Sequence, residues 1–140
     1  MGRTREADEE AELLAAARQA SRRAHAPYSG VRVGAALQGR SGRVYTGCNV
    51  ENASLGLTIC AERVALGRAV AKGERRFSRL TIYSPSGPLL PCGACRQVLG
   101  EFANRLPILA AGPGRQQAET DLRDLLPRSF RFPKKRRQAS

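Results

Sequence analysis

Three cysteines and a glutamate have the spacing of a catalytic zinc site. Glu62 follows Cys60 by two residues, and Cys92 and Cys95 flank a Gly-Ala pair further along the chain. Three thiolates leave the fourth position of a tetrahedral zinc open for water, and a nearby carboxylate can move the protons of that water. A structural zinc site would be closed by four protein ligands. The pattern therefore predicts a catalytic zinc.

The cysteines fall where helices are expected to begin. Cys92 and Cys95 are three residues apart, so they share one face in the first turn of a helix predicted over residues 92–104. A second helix is predicted over residues 60–72, with a cysteine at its start. The free N–H groups and the positive dipole end at a helix N-terminus favour thiolate over thiol. We expect two N-termini to converge on the metal, with Arg63 balancing part of the thiolate charge.

The rest of the sequence predicts further helices and strands. Further helices are predicted over 6–25 and 121–126, and strands over 31–38, 43–50, 79–84, 106–111 and 115–119. A short polar turn predicts that the first two strands form an antiparallel hairpin, whereas the later strands should pair in parallel. The last link is too short for a parallel crossover, so the final strand must be antiparallel. We predict a three-layer α/β/α domain over residues 1–130, with a five-stranded mixed sheet.

Five motifs in this order resemble one enzyme family. They are APYS (26–29), VGAA (33–36), GCNVEN (47–52), CAER (60–63) and PCGACRQ (91–97). Together they resemble the small homotetrameric zinc-dependent cytidine deaminases over about residues 11–130. The resemblance implies the cytidine-deaminase-like fold and one zinc per chain. It also implies hydrolysis of cytidine and deoxycytidine to uridine, or deoxyuridine, and ammonia.

The resemblance also assigns the residues of the chemical step. Zinc is expected to be held by Cys60, Cys92 and Cys95, and to activate a water for attack on C4 of the base. Glu62 is expected to carry the proton of the water to N3 and then to the leaving amine. The backbone N–H of Ala61 is expected to orient O2 of the base.

The expected substrate contacts match the family less completely. The resemblance places the ribose 3′-hydroxyl on Asn49 and Glu51, and Phe130 in the site of a neighbouring subunit. Val31 and Leu55 stand where the family usually has Phe and Tyr. Loss of these rings should weaken stacking or enlarge the pocket, so a modified pyrimidine nucleoside stays open beside cytidine as the substrate.

Other functions fit parts of the sequence. With Cys48 as a fourth ligand the zinc would be structural, and the chain could then be an RNA-interaction module. Glu62 argues against that function, because a closed site has no use for a neighbouring carboxylate. A deaminase of an antibiotic nucleoside, resembling that for blasticidin S, is a third hypothesis. That family lacks the glutamate of the Asn-x-Glu element, which this chain retains as Glu51.

Charge and composition suggest where the protein works. The formal net charge is +12, and much of it comes from arginines and lysines in the last residues of the chain. We expect residues 131–140 to be a basic, disordered tail, and we expect no nucleic-acid partner. No apolar run approaches the ~20 residues of a membrane span, and residues 1–12 lack the apolar stretch of a signal peptide. These features predict a cytoplasmic protein without a membrane partner.

Overall fold

The computed structural model describes residues 2–133, with side chains from Arg5 onward. The helices are α1 (Gly2–Ser21), α2 (Ala61–Ala71), α3 (Gly93–Gly100) and α4 (Leu122–Leu125), with a 3₁₀ turn at Leu55–Leu57. The strands are β1 (Gly34–Gly39), β2 (Val44–Cys48), β3 (Phe77–Tyr83), β4 (Pro107–Ala111) and β5 (Gln117–Asp121). The predicted elements are all present, with ends shifted by a few residues. The part of the predicted tail beyond Pro133 lies outside the described residues.

The five strands form one mixed sheet in the order β2-β1-β3-β4-β5. β1 pairs antiparallel with both β2 and β3, β3 pairs parallel with β4, and β4 pairs antiparallel with β5. The predicted hairpin and the antiparallel last strand are confirmed. Among neighbouring strands, parallel pairing is limited to β3 and β4, which are connected through α3. β2 and β3 are also connected through a helix, α2, but β1 lies between them in the sheet.

Helices cover both faces of the sheet. Ala36 in β1 packs with Leu13 and Ala17 of α1. Its neighbours Ala35 and Leu37 belong to the core on the other face, which includes residues of α2 and α3. Successive residues of a strand point to opposite faces, so one strand contributes to both layers. This arrangement confirms the predicted three-layer α/β/α architecture.

Two glycines let the helices lie directly on the sheet. A Cβ added to Gly34 would stand 1.9 Å from the carbonyl oxygen of Ala17 in α1. A Cβ added to Gly47 in β2 would stand 2.4 Å from the carbonyl oxygen of Ala61 at the start of α2. Both contacts involve backbone atoms, which cannot move aside without displacing a helix. Gly47 therefore sets how closely the N-terminus of α2 approaches the sheet.

In the described part of the chain, no helix is both long enough and apolar enough to cross a bilayer.

Candidate active site

The fold brings three sulfur atoms together. The Sγ atoms of Cys60, Cys92 and Cys95 all lie within 4.8 Å of one another, and those of Cys60 and Cys92 are 3.7 Å apart. Sulfurs that share a tetrahedral zinc, at a Zn–S distance near 2.3 Å, lie about 3.8 Å apart. The cluster therefore fits zinc in both donor type and spacing. Cys48 lies outside it and lines a separate cavity next to α1.

Two of the three cysteines occupy helix N-caps. Cys60 is the N-cap of α2 and has an extended backbone. Cys92 is the N-cap of α3, and its Sγ accepts a hydrogen bond from the backbone N–H of Cys95 at 3.5 Å. Cys95 lies in the first turn of α3 and is fully buried. The N-termini of α2 and α3 thus meet at the sulfur cluster, where their dipoles stabilise negative charge.

Neighbouring donors prepare one thiol for metal binding. The pKa of Cys60 is lowered to about 5, first because the Cys95 thiol donates a hydrogen bond to it, and further because Arg63 does. The Arg63 guanidinium lies 3.7 Å from Cys60 Sγ and also donates to the carbonyl oxygen of Thr58. The hydrogen bond from Cys95 to Cys60 also raises the pKa of Cys95, because it holds the proton on the Cys95 thiol. Metal ligands must be deprotonated, so the lowered pKa of Cys60 favours its role as a ligand.

The glutamate beside the cluster is buried. Glu62 is the second residue of α2 and only 5% of it is exposed. Burial is the main reason why its pKa is raised, and the nearby Cys60 thiolate raises it further. A carboxyl group with a raised pKa holds a proton more readily than an ordinary glutamate, which suits an acid-base role. Glu62 therefore has the properties of a proton shuttle next to the metal position.

A cavity of about 180 Å³ lies between the cluster and the solvent. Its lining residues come from five separate stretches of chain: Val33, Asn49, Thr58, Cys60, Ala61, Glu62, Ile82, Leu89, Leu90 and Cys92. Pockets for small molecules usually measure about 300–1,000 Å³. The described chain by itself thus encloses less space than a typical ligand pocket.

The cavity contains about half of the residues predicted for the site. The predicted residues that do not line it are Val31, Glu51, Arg63, Cys95 and Phe130. The sequence did not predict the apolar wall of the cavity, which consists of Val33, Ile82, Leu89 and Leu90. Two sequence signals for that wall are Val33 in the VGAA motif and the Leu89-Leu90 pair directly before the cysteine motif.

Asn49 fixes the backbone at the edge of the cavity. Its Oδ1 accepts a hydrogen bond from the N–H of Val33, and its Nδ2 donates to the carbonyl oxygen of Val31, both at 2.8 Å. These bonds replace ladder bonds, which explains why β1 begins at Gly34 and not at the predicted Val31. The amide can still donate one N–H and accept one further bond.

Glu51 organises the preceding loop. Its Oε1 accepts from the backbone N–H groups of Tyr28 and Ser29, at 2.9 and 3.2 Å, and its Oε2 accepts from the Ser29 hydroxyl. The bond from the Ser29 hydroxyl is the main reason why the pKa of Glu51 is lowered. Oε2 keeps one free lone pair for a ligand hydroxyl. Asn49 and Glu51 lie just beyond the end of β2, where Val50 forms single bridges to His25 and Ile59.

Phe130 lies on the outside of the chain. It is 68% exposed, and its ring packs edge-on against Phe132 with centroids 5.6 Å apart. Its carbonyl oxygen accepts a hydrogen bond from Gln97 of α3 at 3.0 Å. Within one chain the ring therefore does not contact the cavity.

The site shares its pattern with known proteins. The family described as "Cytidine and deoxycytidylate deaminase zinc-binding region" matches residues 7–110. The chain belongs to this deaminase family. The family description and the cysteine cluster confirm the predicted zinc, and family membership confirms the predicted class of enzyme.

Similar proteins cover most of the chain. A cytidine deaminase of Sporosarcina psychrophila is 42% identical over 84% of this chain and 88% of its own length. A crystal structure of cytidine deaminase from Burkholderia pseudomallei superposes with a TM-score of 0.81 at 45% identity, covering 85% of this chain and 97% of that one. The corresponding structure from Mycobacterium tuberculosis gives a TM-score of 0.76 at 42% identity, covering 86% and 96%. These relatives do not favour the antibiotic-nucleoside and RNA-module hypotheses.

Proposed function

We propose that this deaminase hydrolyses cytidine and deoxycytidine to uridine and deoxyuridine, with release of ammonia. The observation that carries the proposal is that the buried Glu62 carboxyl lines the same cavity as Cys60 and Cys92. A proton-transfer group thus faces a set of ligands that suits a catalytic zinc. The names of similar proteins support cytidine as the nucleoside.

The chain's own residues account for the proton movements of the reaction. Cys60, Cys92 and Cys95 would hold the zinc, which when bound polarises a water molecule for attack on a carbon centre. Glu62 accepts a proton from this water and delivers it to N3 of the base, which makes C4 more electrophilic. The oxygen of the water bonds to C4. Glu62 transfers the second proton of the water to the amino group, and the bond from C4 to that nitrogen breaks, so that ammonia leaves.

Residues at the cavity mouth would recognise the sugar and the base. Asn49 has one free N–H group that can donate to a hydroxyl. Oε2 of Glu51 has a free lone pair that can accept from the same hydroxyl. The backbone N–H of Ala61, at the N-terminus of α2, would point to O2 of the base. The apolar wall of Leu89 and Leu90 would contact the face of the ring.

We infer that the working enzyme is a homotetramer with shared sites. One chain encloses only about 180 Å³ beside the cluster, which leaves the nucleoside site incomplete. Leu55, Leu57 and Phe130 are 70%, 66% and 68% exposed, and such apolar surface is typical of protein contacts. A neighbouring chain would cover this surface and supply the Phe130 ring to the open side of the cavity.

We also propose a cytoplasmic location. All four cysteines are free thiols in the structure, and a site built from thiolates needs a reducing compartment. The location can be tested by fractionating cells that express the full chain and assaying each fraction for zinc-dependent activity. Activity confined to a secreted or envelope fraction would contradict this proposal.

A panel of nucleosides tests the proposed reaction. The purified protein is incubated with cytidine, deoxycytidine, cytosine, adenosine and 5-substituted cytidines, and ammonia release is measured. We expect cytidine and deoxycytidine to be the best substrates, and free cytosine to be poor because it lacks the sugar contacts. Faster turnover of a bulky modified nucleoside, or no ammonia from cytidine, would refute cytidine as the substrate.

A further inference from the structure

A second cavity, of about 750 Å³, has four arginines among its nine lining residues. Its lining comes from the loop after α3, from α4 and from the segment that follows α4: Asn104, Arg105, Arg123, Asp124, Leu126, Pro127, Arg128, Ser129 and Arg131. Four guanidinium groups against one carboxylate leave an excess of positive charge. Asn104 and Arg105 follow the C-terminal end of α3, whereas Cys92 caps its N-terminus. The helix, roughly 12 Å long at 1.5 Å per residue, thus separates the two sites.

The four arginines lack acidic partners. The one ion pair found within residues 5–133 joins Arg5 and Glu9. Asp124 lines the same cavity, but it does not form an ion pair with any of the four guanidinium groups in the described structure. Unpaired like charges around one concave surface repel each other, and a bound anion would relieve that repulsion.

One of these arginines has an unfavourable backbone conformation. Arg128 has φ = 52°, and it is the one non-glycine residue with positive φ in the described part of the chain. Glycine adopts this conformation freely, whereas a residue with a Cβ is strained there. A long cationic side chain at a position that favours glycine indicates that the side chain has a use.

The segment that carries the last two arginines is held in place by α3. Arg96 donates to the carbonyl oxygen of Leu125 at 3.1 Å, and Gln97 donates to that of Phe130 at 3.0 Å. Both donors lie in α3, so the chain on either side of Arg128 is tied to a regular element. The cavity is therefore a formed part of the fold.

We propose that this cavity binds the polyphosphate group of a small anion, such as a nucleoside triphosphate. The planar fork of arginine matches two phosphate oxygens at once, and several such forks suit a chain of phosphates. The volume lies within the range of small-molecule sites. A single-stranded nucleic acid would also need aromatic rings on which its bases stack. Phe130 and Phe132 pack against each other and do not line the cavity, so a small polyphosphate fits better than RNA.

Calorimetric titration of the zinc-loaded enzyme with sodium triphosphate tests the proposal. At about 0.1 M salt we expect saturable binding of one triphosphate per chain. Arg128→Gly and Arg123→Gln should each weaken binding about tenfold or more, because a charge-assisted phosphate contact is lost. Arg128→Gly also removes the backbone strain, so melting temperature and zinc content should show that it folds. Uridine triphosphate is titrated separately. If it binds more tightly than sodium triphosphate, the site also contacts the base or the sugar.

An exposed arginine elsewhere supplies the matched control. Arg115, in the loop between β4 and β5, is exposed and lies outside this cavity, so Arg115→Gly should bind triphosphate like the wild type. An equal loss in this variant would mean that only net charge matters and would overturn the proposal, as would absence of saturable binding. Tighter binding of a single-stranded RNA, abolished by deleting residues 134–140, would assign the basic segment to nucleic acid instead. None of these results depends on the identity of the deaminated nucleoside.

Discussion

The inner end and the mouth of the cavity are built in different ways. At the inner end, Cys95 and Glu62 are 0% and 5% exposed, and they belong to the first turns of α3 and α2. At the mouth, Asn49, Glu51 and the loop before β1 are held by side-chain hydrogen bonds to backbone groups. Phe130 lies outside the cavity.

This difference separates chemistry from recognition. The proposed metal ligands and the proposed proton shuttle lie at two helix N-termini packed against a sheet, so a single folded chain is sufficient to position them. Substrate contacts depend on a loop and on surface that one chain leaves open. We therefore expect variants of the inner end to lose turnover, and variants of the mouth to lose affinity.

The largest expected effect is loss of the metal. Cys92→Ser should remove zinc and all measurable activity, because a serine hydroxyl replaces a thiolate ligand while still serving as a helix N-cap. Metal content per chain and ammonia release measure both effects. Cys48→Ser is the matched control, since Cys48 lies outside the sulfur cluster. Loss of zinc in the control would mean that Cys48 is a ligand.

Removing the proposed proton shuttle should have the second-largest effect on activity. Glu62→Gln preserves the shape of the side chain but cannot exchange a proton, so kcat should fall by ~10²- to 10⁴-fold. Zinc content should stay at one per chain. Glu101→Gln, at an exposed position directly after α3, should leave kcat unchanged. A Glu62→Gln enzyme with near-normal kcat would show that another group moves the protons.

At the mouth, Asn49→Ala should act mainly on KM. The variant removes a polar partner of the sugar, and a lost hydrogen bond of about 1–3 kcal/mol corresponds to a rise in KM of ~5- to 150-fold. Steady-state kinetics with cytidine separate KM from kcat. Gln117→Ala, at an exposed position in β5, is the control. A fall in kcat with unchanged KM would place Asn49 at the chemical step instead.

The smallest expected effect concerns the neighbouring chain. Phe130→Ala should weaken nucleoside binding by about five- to a hundredfold, the range expected when an aromatic ring no longer stacks on a base. Zinc should be retained. Phe132→Ala is the matched control, because this ring is 84% exposed and is not assigned to any site. Equal losses in both variants would exclude a specific role for Phe130.

Mixed oligomers sharpen this test. Chains with Phe130→Ala keep zinc but lack the ring, and chains with Cys92→Ser keep the ring but lack zinc. If the sites are shared, refolding the two together should restore sites with wild-type KM. Failure to restore them, or a fully active monomer, would show that each chain completes its own site.

Val31→Phe should tighten cytidine binding by restoring a ring, whereas loss of activity would indicate a bulkier natural substrate.

Short sequence motifs predict much of the inner end of the cavity. The i, i+3 spacing of Cys92 and Cys95 and the placement of Glu62 after Cys60 predict the ligands and their helix positions, because one helical turn determines which side chains share a face. The short link before β5 likewise predicts its antiparallel direction. Such features depend on residues close together in the chain, so they can be inferred without coordinates.

Tertiary structure decided the rest. Residues from separate stretches of the chain form three features of the site and the second cavity. Val33 meets Ile82, Leu89 and Leu90 in the apolar wall, Asn49 sets where β1 begins, and Arg105 lies beside the arginines of the C-terminal segment. No periodicity links these residues, because the sheet order and the packing of α3 against the C-terminal segment bring them together. The sequence by itself therefore predicted the proposed ligand set and the proposed proton shuttle. Only the packed fold showed how little of the nucleoside site one chain encloses.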